Sequence, residues 1–271
     1  MTHIAFLGGG NMSTAIISGM MKQGFTPQKI SVVEHRIESR ENLSNKLGVN
    51  TYATVKEVTI PDVWVLAVKP QNMRDALTEL TPLLSQDQLL ISIAAGLTIE
   101  TLTQWSGNHS KIARTMPNTP AMVGQGVTGI YAPRPKFSEA EQSLIDRLFK
   151  AVGSTVWLKT EDEINAITAI SGSGPAYVFY MMEHLAAAAV SLGFDEAAAQ
   201  SLAKDTFAGA IALANNSPDS FATLREKVTS KGGTTAAALA NFDEHGVGKG
   251  LQLGALAATR RAEELAIELA K

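Results

Sequence analysis

The distribution of apolar positions divides the chain into two parts with different patterns. In the first part, short apolar runs alternate with longer amphipathic or polar segments, which predicts strands that alternate with helices. The predicted strands are Ile4–Leu7, Ile30–Val33, Trp64–Val68, Leu89–Ala94, Ile112–Arg114, Val127–Tyr131 and Thr155–Leu158. Such an alternation is typical of a mostly parallel sheet with helices on both faces. The first part is therefore predicted to be an α/β domain.

From about Glu161 the strand-like runs end, and long segments rich in Ala, Leu, Glu and Lys follow. This composition predicts an all-helical second part. Asp195 and the pair Ser217-Pro218 are the expected helix starts, the second because proline is favoured at the first helical position. Breaks are expected at Gly172–Pro175, Gly193, Asn215–Pro218, Gly232-Gly233 and Gly246. We predict an α/β domain over residues 1–158 and an all-helical domain over residues 159–271.

Small residues are concentrated on the predicted helices of the second part, in the runs Ala186–Ala189, Ala197–Ala199 and Ala236–Ala238. Helix propensity alone explains any one of these runs. Together they leave few bulky apolar side chains for a self-contained core, so we expect the helices to pack against a second copy of the chain. The predicted assembly is a homodimer.

A glycine-rich turn follows the first predicted strand. Gly8-Gly9-Gly10-Asn11-Met12-Ser13 precedes a helical pattern that runs to about Gln23. In this strand-turn-helix setting, the first glycine makes the turn, the second lets the backbone approach a pyrophosphate, and the helix N-terminus supplies N–H donors. The third position of the fingerprint is Ser13, which is small enough to keep helix and strand close. The turn predicts a dinucleotide-binding site.

The end of the second strand carries conflicting charges for the choice of dinucleotide. Glu34 could accept hydrogen bonds from the ribose hydroxyls of NAD, whereas His35, Arg36 and Arg40 could bind the 2′-phosphate of NADP. Each charge could also be an ordinary solvated loop residue. The sequence leaves NADPH and NADH open.

Later strand ends supply further candidates, because ligands of open α/β sheets bind outside the carboxyl ends of the strands. Backbone contacts are expected there more than side-chain chemistry, since Lys69 could simply reach water and Asn118 could simply form a turn between prolines. The candidate cofactor residues at these ends are Ala67, Val68, Lys69, Pro70, Ala94, Ala95 and Asn118.

The run Val228–Thr235 places two consecutive glycines and two hydroxyls where a helix is expected to begin. Glycine permits positive φ, and the first N–H groups of a helix have no intrahelical partner, so an anion can accept from them. The run therefore predicts a carboxylate-binding turn. The alternative is an ordinary helix start capped by Thr234.

Composition excludes several classes of function. The formal net charge is −3, the isoelectric point is near 6.0 and no run of Lys or Arg occurs, which argues against nucleic-acid binding. No apolar run reaches the ~18 residues of a membrane helix. Cysteine is absent and the five histidines are scattered, so we expect no disulfide and no metal site. The first residues enter a strand pattern without a leader, and the expected location is the cytoplasm.

The remaining motifs restrict the reaction. Ser171–Pro175 superficially resembles the turn of a serine nucleophile, but no strand is predicted before it. No pair of His and Asp marks an enzyme that oxidises an alcohol. A reductase without an evident general base suggests a substrate that scarcely needs one, such as an imine.

Over essentially its whole length the chain resembles the pyrroline-5-carboxylate reductases, which make L-proline with NAD(P)H in the last step of its biosynthesis. The motifs that carry the resemblance are Phe6–Met12, Ala67–Gln71, Arg114–Pro120, Ser171–Tyr177 and Val228–Thr235. The resemblance implies a Rossmann-like N-terminal domain and an all-α C-terminal dimerisation domain that interlocks two subunits. It also implies further assembly of dimers in many members.

The resemblance also implies the roles of individual residues. The substrate carboxylate would be held by backbone N–H groups of the turn, and the Thr235 hydroxyl would hydrogen-bond the ring nitrogen as the catalytic group. Glu161 matches an acid close to the substrate, with an acid at a helix N-terminus as the alternative. The implied substrate residues are Glu161, Ser230, Gly232, Gly233, Thr234 and Thr235. The cofactor residues are Leu7, Gly8, Gly9, Gly10, Asn11, Met12, Glu34, His35, Arg36 and the strand-end candidates above.

Three positions depart from the family pattern: Thr54 and Lys227, where relatives often carry Asn near the cofactor, and Asn165, where many carry Asp. They weaken the transfer of roles at those positions. Two other classes of function stay open, namely a related imine or hydroxyacid reductase and a non-catalytic dinucleotide-binding regulator.

Overall fold

The computed structural model describes residues 2–133 and 136–270. Its strands are β1 (Ile4–Leu7), β2 (Ile30–Val33), β3 (Asn50–Tyr52), β4 (Val63–Leu66), β5 (Leu89–Ser92), β6 (Ile112–Met116), β7 (Gly126–Tyr131) and β8 (Gly153–Trp157). Its helices are α1 (Asn11–Lys22), α2 (Ile37–Leu47), α3 (Met73–Leu80), α4 (Ile99–Trp105), α5 (Glu139–Lys150), α6 (Glu163–Ile167), α7 (Gly174–Ser191), α8 (Glu196–Asn215), α9 (Phe221–Lys227), α10 (Thr234–Glu244) and α11 (Val247–Leu269).

The strands form one sheet in the order β3-β2-β1-β4-β5-β6-β7-β8. Neighbouring strands are parallel except β6 and β7, which pair antiparallel. The predicted mostly parallel, Rossmann-like sheet is confirmed. Because β1, β2, β4, β5 and β6 run in the same direction, their carboxyl ends lie at one edge of the sheet, and the loops that leave this edge carry the predicted cofactor residues.

Both faces of the sheet are covered, which explains why its strands are continuous apolar runs rather than alternating ones. Along β1, Ile4 and Phe6 pack in one buried cluster with side chains of α1 and α5. Ala5 and Leu7 point to the other face and pack in a second cluster with side chains of α3. The period of two therefore separates the two faces even though all four residues are buried.

The strand predictions were wrong in detail. β3 was missed, because its three half-buried residues are too few to show a pattern and pair only at the edge against β2. β4 and β5 end two residues earlier than predicted, where Ala67 and Ile93 begin the loops at the carboxyl edge. β6 runs on to Met116, and β7 and β8 begin at Gly126 and Gly153. The apolar runs continue past β4 and β5 because the loop residues that follow, Ala67-Val68 and Ile93-Ala94, are themselves half-buried or buried.

Contacts between residues divide the chain into two compact units. One contains the part up to Ser173 together with the segment from Ala258 onward, and the other is Gly174–Ala257. The domain boundary predicted from composition, between residues 158 and 159, stays a prediction.

In the second unit, small residues allow α7 and α8 to pack closely within the chain. Ala186 on α7 and Ala199 and Ala203 on α8 form a buried cluster. Many larger apolar side chains are left exposed within the single chain, a surface that a single soluble chain rarely shows. Those on α7, α8 and α11 include Phe179, Tyr180, Leu185, Leu202, Ile211, Leu213, Leu251, Leu253 and Leu256.

Two predictions about the helical part need correction. Ser217-Pro218 does not start a helix, because Ser217 donates to the Asp219 carboxylate in a turn and Ser220 caps α9 instead. The expected break at Gly172–Pro175 is not a loop, since Thr168–Gly172 forms a π-helical turn that leads almost directly into α7. Asp195 caps α8 as predicted. No helix of the described residues is both long and apolar enough to cross a membrane.

Candidate cofactor and substrate sites

The glycine turn after β1 is shaped by contacts that only glycine permits. Gly8 has φ +111°, and a Cβ there would lie 2.7 Å from the Ala67 carbonyl oxygen. A Cβ on Gly9 would lie 2.7 Å from a methyl group of Leu43. A Cβ on Gly10 would meet no atom within 4 Å. Packing therefore explains the first two glycines, whereas Gly10 faces open space that a ligand can occupy.

The start of α1 is free to bind an anion. Gly10 is its N-cap residue and no side chain caps the helix. Ser13 is buried at the third fingerprint position, and its hydroxyl donates to the Gly8 carbonyl at 2.7 Å, which ties helix to turn. The first N–H groups of α1 are therefore available to a phosphate.

A cleft of about 470 Å³ lies between α1 and α2 beside this turn. Its charged lining groups are Arg36 and Lys46, both cations, so the cleft suits a phosphorylated ligand. Sequence reasoning missed the polar lining of α2. The signal was available, because Ser39, Asn42 and Lys46 recur at helical spacing and so share one face of α2.

The predicted cofactor residues of the first two strand ends come together in space. Leu7 is buried at the end of β1, and the Gly8 N–H donates to the Val33 carbonyl at 2.9 Å. Glu34 accepts from the Gly9 N–H at 3.3 Å. Asn11 and Met12 begin α1, and His35 and Arg36 follow β2 at the same edge of the sheet.

The later strand ends reach the same edge. The Ala67 N–H donates to the Leu7 carbonyl at 2.9 Å, and Val68, Lys69 and Pro70 continue from it into a short 3₁₀ turn. Lys69 is exposed. Ala94 and Ala95 follow β5, where the Ala94 N–H donates to the buried Ser92 hydroxyl at 3.2 Å. Their contacts with a cofactor stay predictions.

The side chain of Asn118 has a structural role, because it makes two hydrogen bonds within the protein. Its Nδ2 donates to the Ser171 carbonyl at 2.8 Å and its Oδ1 accepts from the Val127 N–H at 2.8 Å. It is 7% exposed. The side chain thus joins the loop after β6 to β7 and to the π-helical turn. The predicted contact of the Asn118 backbone with the cofactor stays a prediction.

The turn before α10 has the geometry of an anion-binding site. The Gly233 N–H donates to the Ser230 carbonyl at 3.0 Å, and Gly232 has φ +73°, which defines a type II turn. Gly232 is required by its positive φ, whereas a Cβ on Gly233 would lie 2.4 Å from the Ser230 hydroxyl oxygen and would force that side chain to rotate.

Gly233, and not Thr234, is the N-cap residue of α10, and no side chain caps this helix. The alternative interpretation of a helix capped by Thr234 is therefore wrong. The N–H groups of the first helical turn, at Thr234, Thr235 and Ala236, are left for an external acceptor. The half-buried Thr235 hydroxyl makes no hydrogen bond to another residue of the described chain. This turn can hold a carboxylate next to an available hydroxyl.

Glu161 lies in the first unit and holds a buried cation. Its Oε1 accepts from Arg114 Nη1 at 2.7 Å and from the Ile99 N–H, the first of α4, at 2.7 Å. The Arg114 side chain is 4% exposed and that of Glu161 is 27% exposed. Burial lowers the pKa of Arg114, and the Glu161 carboxylate opposes that shift. Glu161 therefore acts on a helix N-terminus, but on that of α4 rather than of its own helix.

Removing the Glu161 side chain should destabilise the protein, because it leaves the Arg114 charge buried without its partner. For Glu161→Ala we expect a loss of about 2–3 kcal/mol in the free energy of unfolding, less than for a fully buried pair because Glu161 is partly exposed. Urea unfolding at fixed protein concentration measures this loss. Glu79→Ala, which removes an exposed carboxylate on α3, away from Arg114, is the matched control and should change stability by less than about 0.5 kcal/mol.

Glu161→Gln separates the structural role from the predicted contact with substrate. The amide oxygen can still accept from Arg114 and Ile99, so a purely structural Glu161 leaves KM for the substrate unchanged. A rise in KM with unchanged kcat would assign Glu161 to substrate binding.

Of the three positions that depart from the family pattern, Thr54 and Lys227 contact nearby acids, and Asn165 is partly buried. Thr54 donates to the Glu57 carboxylate at 3.0 Å. Lys227 forms an ion pair with Asp219, and this contact lowers the pKa of the Asp219 carboxyl. Asn165 is half-buried on α6.

Comparison with known proteins identifies the family to which the chain belongs. A family model described as pyrroline-5-carboxylate reductase dimerisation matches residues 161–265, and one described as NADP oxidoreductase, coenzyme F420-dependent, matches residues 3–96. A curated pyrroline-5-carboxylate reductase of Haemophilus influenzae is 41% identical over 97% of this chain and 97% of its own length. The chain belongs to the pyrroline-5-carboxylate reductase family. The resemblance inferred from the sequence motifs is confirmed.

Solved structures of the family agree with the fold. The structure of the Coxiella burnetii reductase covers 98% of both chains with a TM-score of 0.91 and 36% identity. The Plasmodium falciparum enzyme, solved with NADP bound, covers 98% of both chains with a TM-score of 0.85 and 25% identity. The dimerisation model matches the helices that expose large apolar side chains. The chain forms a homodimer through its helical part, as predicted.

Proposed function

We propose that this chain uses NAD(P)H to reduce 1-pyrroline-5-carboxylate to L-proline, the last step of proline biosynthesis. The observation that carries the proposal is the uncapped, glycine-built turn before α10, which has N–H donors for one carboxylate and an available hydroxyl on the second residue of the helix. Family membership supports it, because the curated relatives named pyrroline-5-carboxylate reductase match this chain over nearly its full length.

The substrate's carboxylate is assigned to the turn Ser230–Thr234, which the sequence predicts to bind it through the backbone N–H groups of Ser230, Gly232, Gly233 and Thr234. The Gly233 N–H already donates to the Ser230 carbonyl, so the carboxylate is assigned mainly to the other N–H groups of the turn and to the unpaired N–H groups at the start of α10. The positive end of the α10 dipole favours the negative charge there. A carboxylate held by several N–H groups fixes the orientation of a small ring as well as its position. The Thr235 hydroxyl then accepts a hydrogen bond from the protonated ring nitrogen.

The reaction needs little acid-base chemistry from the protein. When bound, NAD(P)H supplies a hydride to the carbon of the C=N bond, and the nitrogen keeps its proton and becomes the secondary amine of proline. Protonation of the nitrogen makes that carbon electrophilic before the substrate is reduced. Thr235 stabilises the N–H and orients the ring, so that catalysis consists mainly of positioning.

The cofactor is assigned to the glycine turn after β1 and the cleft between α1 and α2. The open space at Gly10 and the uncapped start of α1 fit a pyrophosphate, and the cations of the cleft fit a phosphorylated ribose. The Plasmodium falciparum relative, solved with NADP bound, supports the use of such a cofactor. The residues after β4, β5 and β6 are assigned to the ribose and nicotinamide end.

The assembly of dimers, the location of the protein and its lack of further partners remain proposals. Further assembly of the homodimer is proposed from the family and needs a mass measured in solution. A location in the cytoplasm and the absence of nucleic-acid and membrane partners also stay predictions from composition.

An absorbance assay tests the proposed function. Purified protein is mixed with pyrroline-5-carboxylate and either NADPH or NADH, and oxidation of the reduced cofactor is followed, with a sample lacking substrate as control. We expect oxidation that depends on substrate and yields proline. Turnover of bulkier imines or hydroxyacids alone would favour a related reductase. Cofactor binding without oxidation would favour a regulator. Either result would contradict the proposal.

A further inference from the structure

The side chain of Glu34, at the end of β2, is not among the residues that line the cofactor cleft. Glu34 is 12% exposed at its side chain, and its two oxygens have protein donors. Oε2 accepts from the Gly9 N–H at 3.3 Å. Oε1 accepts from the backbone N–H and from the Nε of Arg36, both at 3.1 Å. The carboxylate that would accept from the ribose hydroxyls of NAD is therefore already engaged.

The same contacts keep Glu34 ionised. Burial raises its pKa, but the hydrogen bonds and charge of Arg36 and the Gly9 N–H outweigh burial and lower the pKa overall. The negative charge of Glu34 is thus balanced by Arg36 at close range. The carboxylate contributes little net repulsion toward a phosphate in the cleft.

Most of the hydrogen-bond donors of the Arg36 side chain are available to a ligand. Only its Nε is used by Glu34, and the side chain is 73% exposed and lines the cleft. Its terminal nitrogens make no hydrogen bond to other described residues. Arg40 is used differently, because its Nη1 donates to the carbonyls of Glu34 and His35 and so holds the loop after β2 in place. Arg36 is thus the cation positioned to meet a ligand.

We propose that Glu34 is a positioning residue that holds Arg36 toward the cleft, so that Arg36 binds the 2′-phosphate and the chain prefers NADPH to NADH. This inference rests on the proposed function, which leaves the choice of cofactor open. In this arrangement the Glu34 carboxylate accepts a hydrogen bond from a ribose hydroxyl only when Arg36 is removed. The conflict of charges at the end of β2 then has a single physical explanation.

Binding of two fragments tests the preference without turnover. Adenosine 2′,5′-bisphosphate and 5′-AMP differ only in the 2′-phosphate, and isothermal titration gives the dissociation constant of each. For the unaltered homodimer we expect the bisphosphate to bind at least ~10-fold more tightly, as for one charge-assisted contact to Arg. The ratio should fall as salt is added.

Three variants form a cycle that isolates the role of Glu34. Arg36→Ala should lower the ratio of the two affinities, bisphosphate to 5′-AMP, to about one or below. Binding of the bisphosphate becomes weaker because the cation is lost, and binding of 5′-AMP becomes tighter because Glu34 is free to accept from the ribose. Glu34→Gln/Arg36→Ala should lose the preference without tightening 5′-AMP. Glu34→Gln alone should weaken binding of the bisphosphate about 3- to 10-fold, because Arg36 loses the charged partner that positions it, whereas 5′-AMP binding should stay within about 2-fold. Unchanged binding of the bisphosphate in this variant would show that Glu34 does not position Arg36. Lys159→Ala, which removes an exposed cation outside the cleft, is the control for net charge and should keep the original ratio.

Several outcomes would overturn the inference. Equal binding of both fragments by the unaltered protein, or an unchanged ratio in Arg36→Ala, would show that Arg36 does not read the phosphate. A 10-fold loss of 5′-AMP binding in Glu34→Gln would show that Glu34 already binds the ribose. These results leave the proposed function intact. Failure of the protein to bind either fragment would overturn both.

Discussion

Thr235→Ala is expected to lower kcat for pyrroline-5-carboxylate about 10²-fold, in the usual range for loss of a positioned hydrogen-bonding group. The Thr235 hydroxyl is half-buried, lies in the first turn of α10 and makes no hydrogen bond within the described chain, so it is free to bind the ring nitrogen. Because the carboxylate is assigned to backbone N–H groups, the variant should keep KM near its original value. Steady-state kinetics at saturating cofactor measure both constants.

Two further variants make the result at Thr235 specific. Thr235→Ser keeps the hydroxyl and should recover most of kcat. Thr229→Ala makes the same substitution in the preceding turn, where the hydroxyl donates to the Arg225 carbonyl, and should leave kcat within about 3-fold. An unchanged kcat in Thr235→Ala would remove Thr235 from the mechanism.

Gly8→Ala is expected to destabilise the protein by about 3 kcal/mol and to abolish tight cofactor binding. The new Cβ would lie 2.7 Å from the Ala67 carbonyl oxygen, and alanine would have to adopt φ +111°. Both effects push the glycine turn away from β4, and the start of α1 moves with it. Urea unfolding and titration with NADP⁺ measure the two losses.

Gly10→Ala separates packing from ligand binding. Its Cβ would meet no protein atom within 4 Å, so stability should change by less than about 1 kcal/mol. Cofactor affinity should still fall ~10-fold or more, because the methyl group occupies space assigned to the pyrophosphate. Similar effects on stability for both glycines would contradict this division of roles.

Much of the fold could be predicted from apolar runs. A strand covered on both faces, such as β1, is a short continuous apolar segment, and the period of such segments identified the parallel sheet. β3 could not be found in this way, since Asn50–Tyr52 is a strand only because β2 supplies its partners. Ser217-Pro218 matched a helix start by residue type, but the hydrogen bonds between Ser217 and Asp219 form a turn that competes with it.

The candidate sites were predictable where function depends on the backbone. Glycines at positions that need positive φ or close approach are visible in sequence, as at Gly8 and Gly232. Side-chain pairings were not visible. Glu161 and Arg114 are 47 positions apart and meet only when the sheet has formed. The engagement of Glu34 by Arg36 depends on rotamers and on the approach of Gly9, which no spacing rule contains.

The central claim is that the turn before α10 binds the substrate's carboxylate. A crystal structure of the homodimer with NADP⁺ and L-proline tests it most directly, because the product carries the same carboxylate and ring nitrogen as the substrate. We expect carboxylate oxygens within about 3 Å of unpaired N–H groups in the segment Ser230–Ala236 and the ring nitrogen within hydrogen-bond distance of Thr235 Oγ1. Proline bound with its carboxylate elsewhere, and this turn without a ligand, would contradict it.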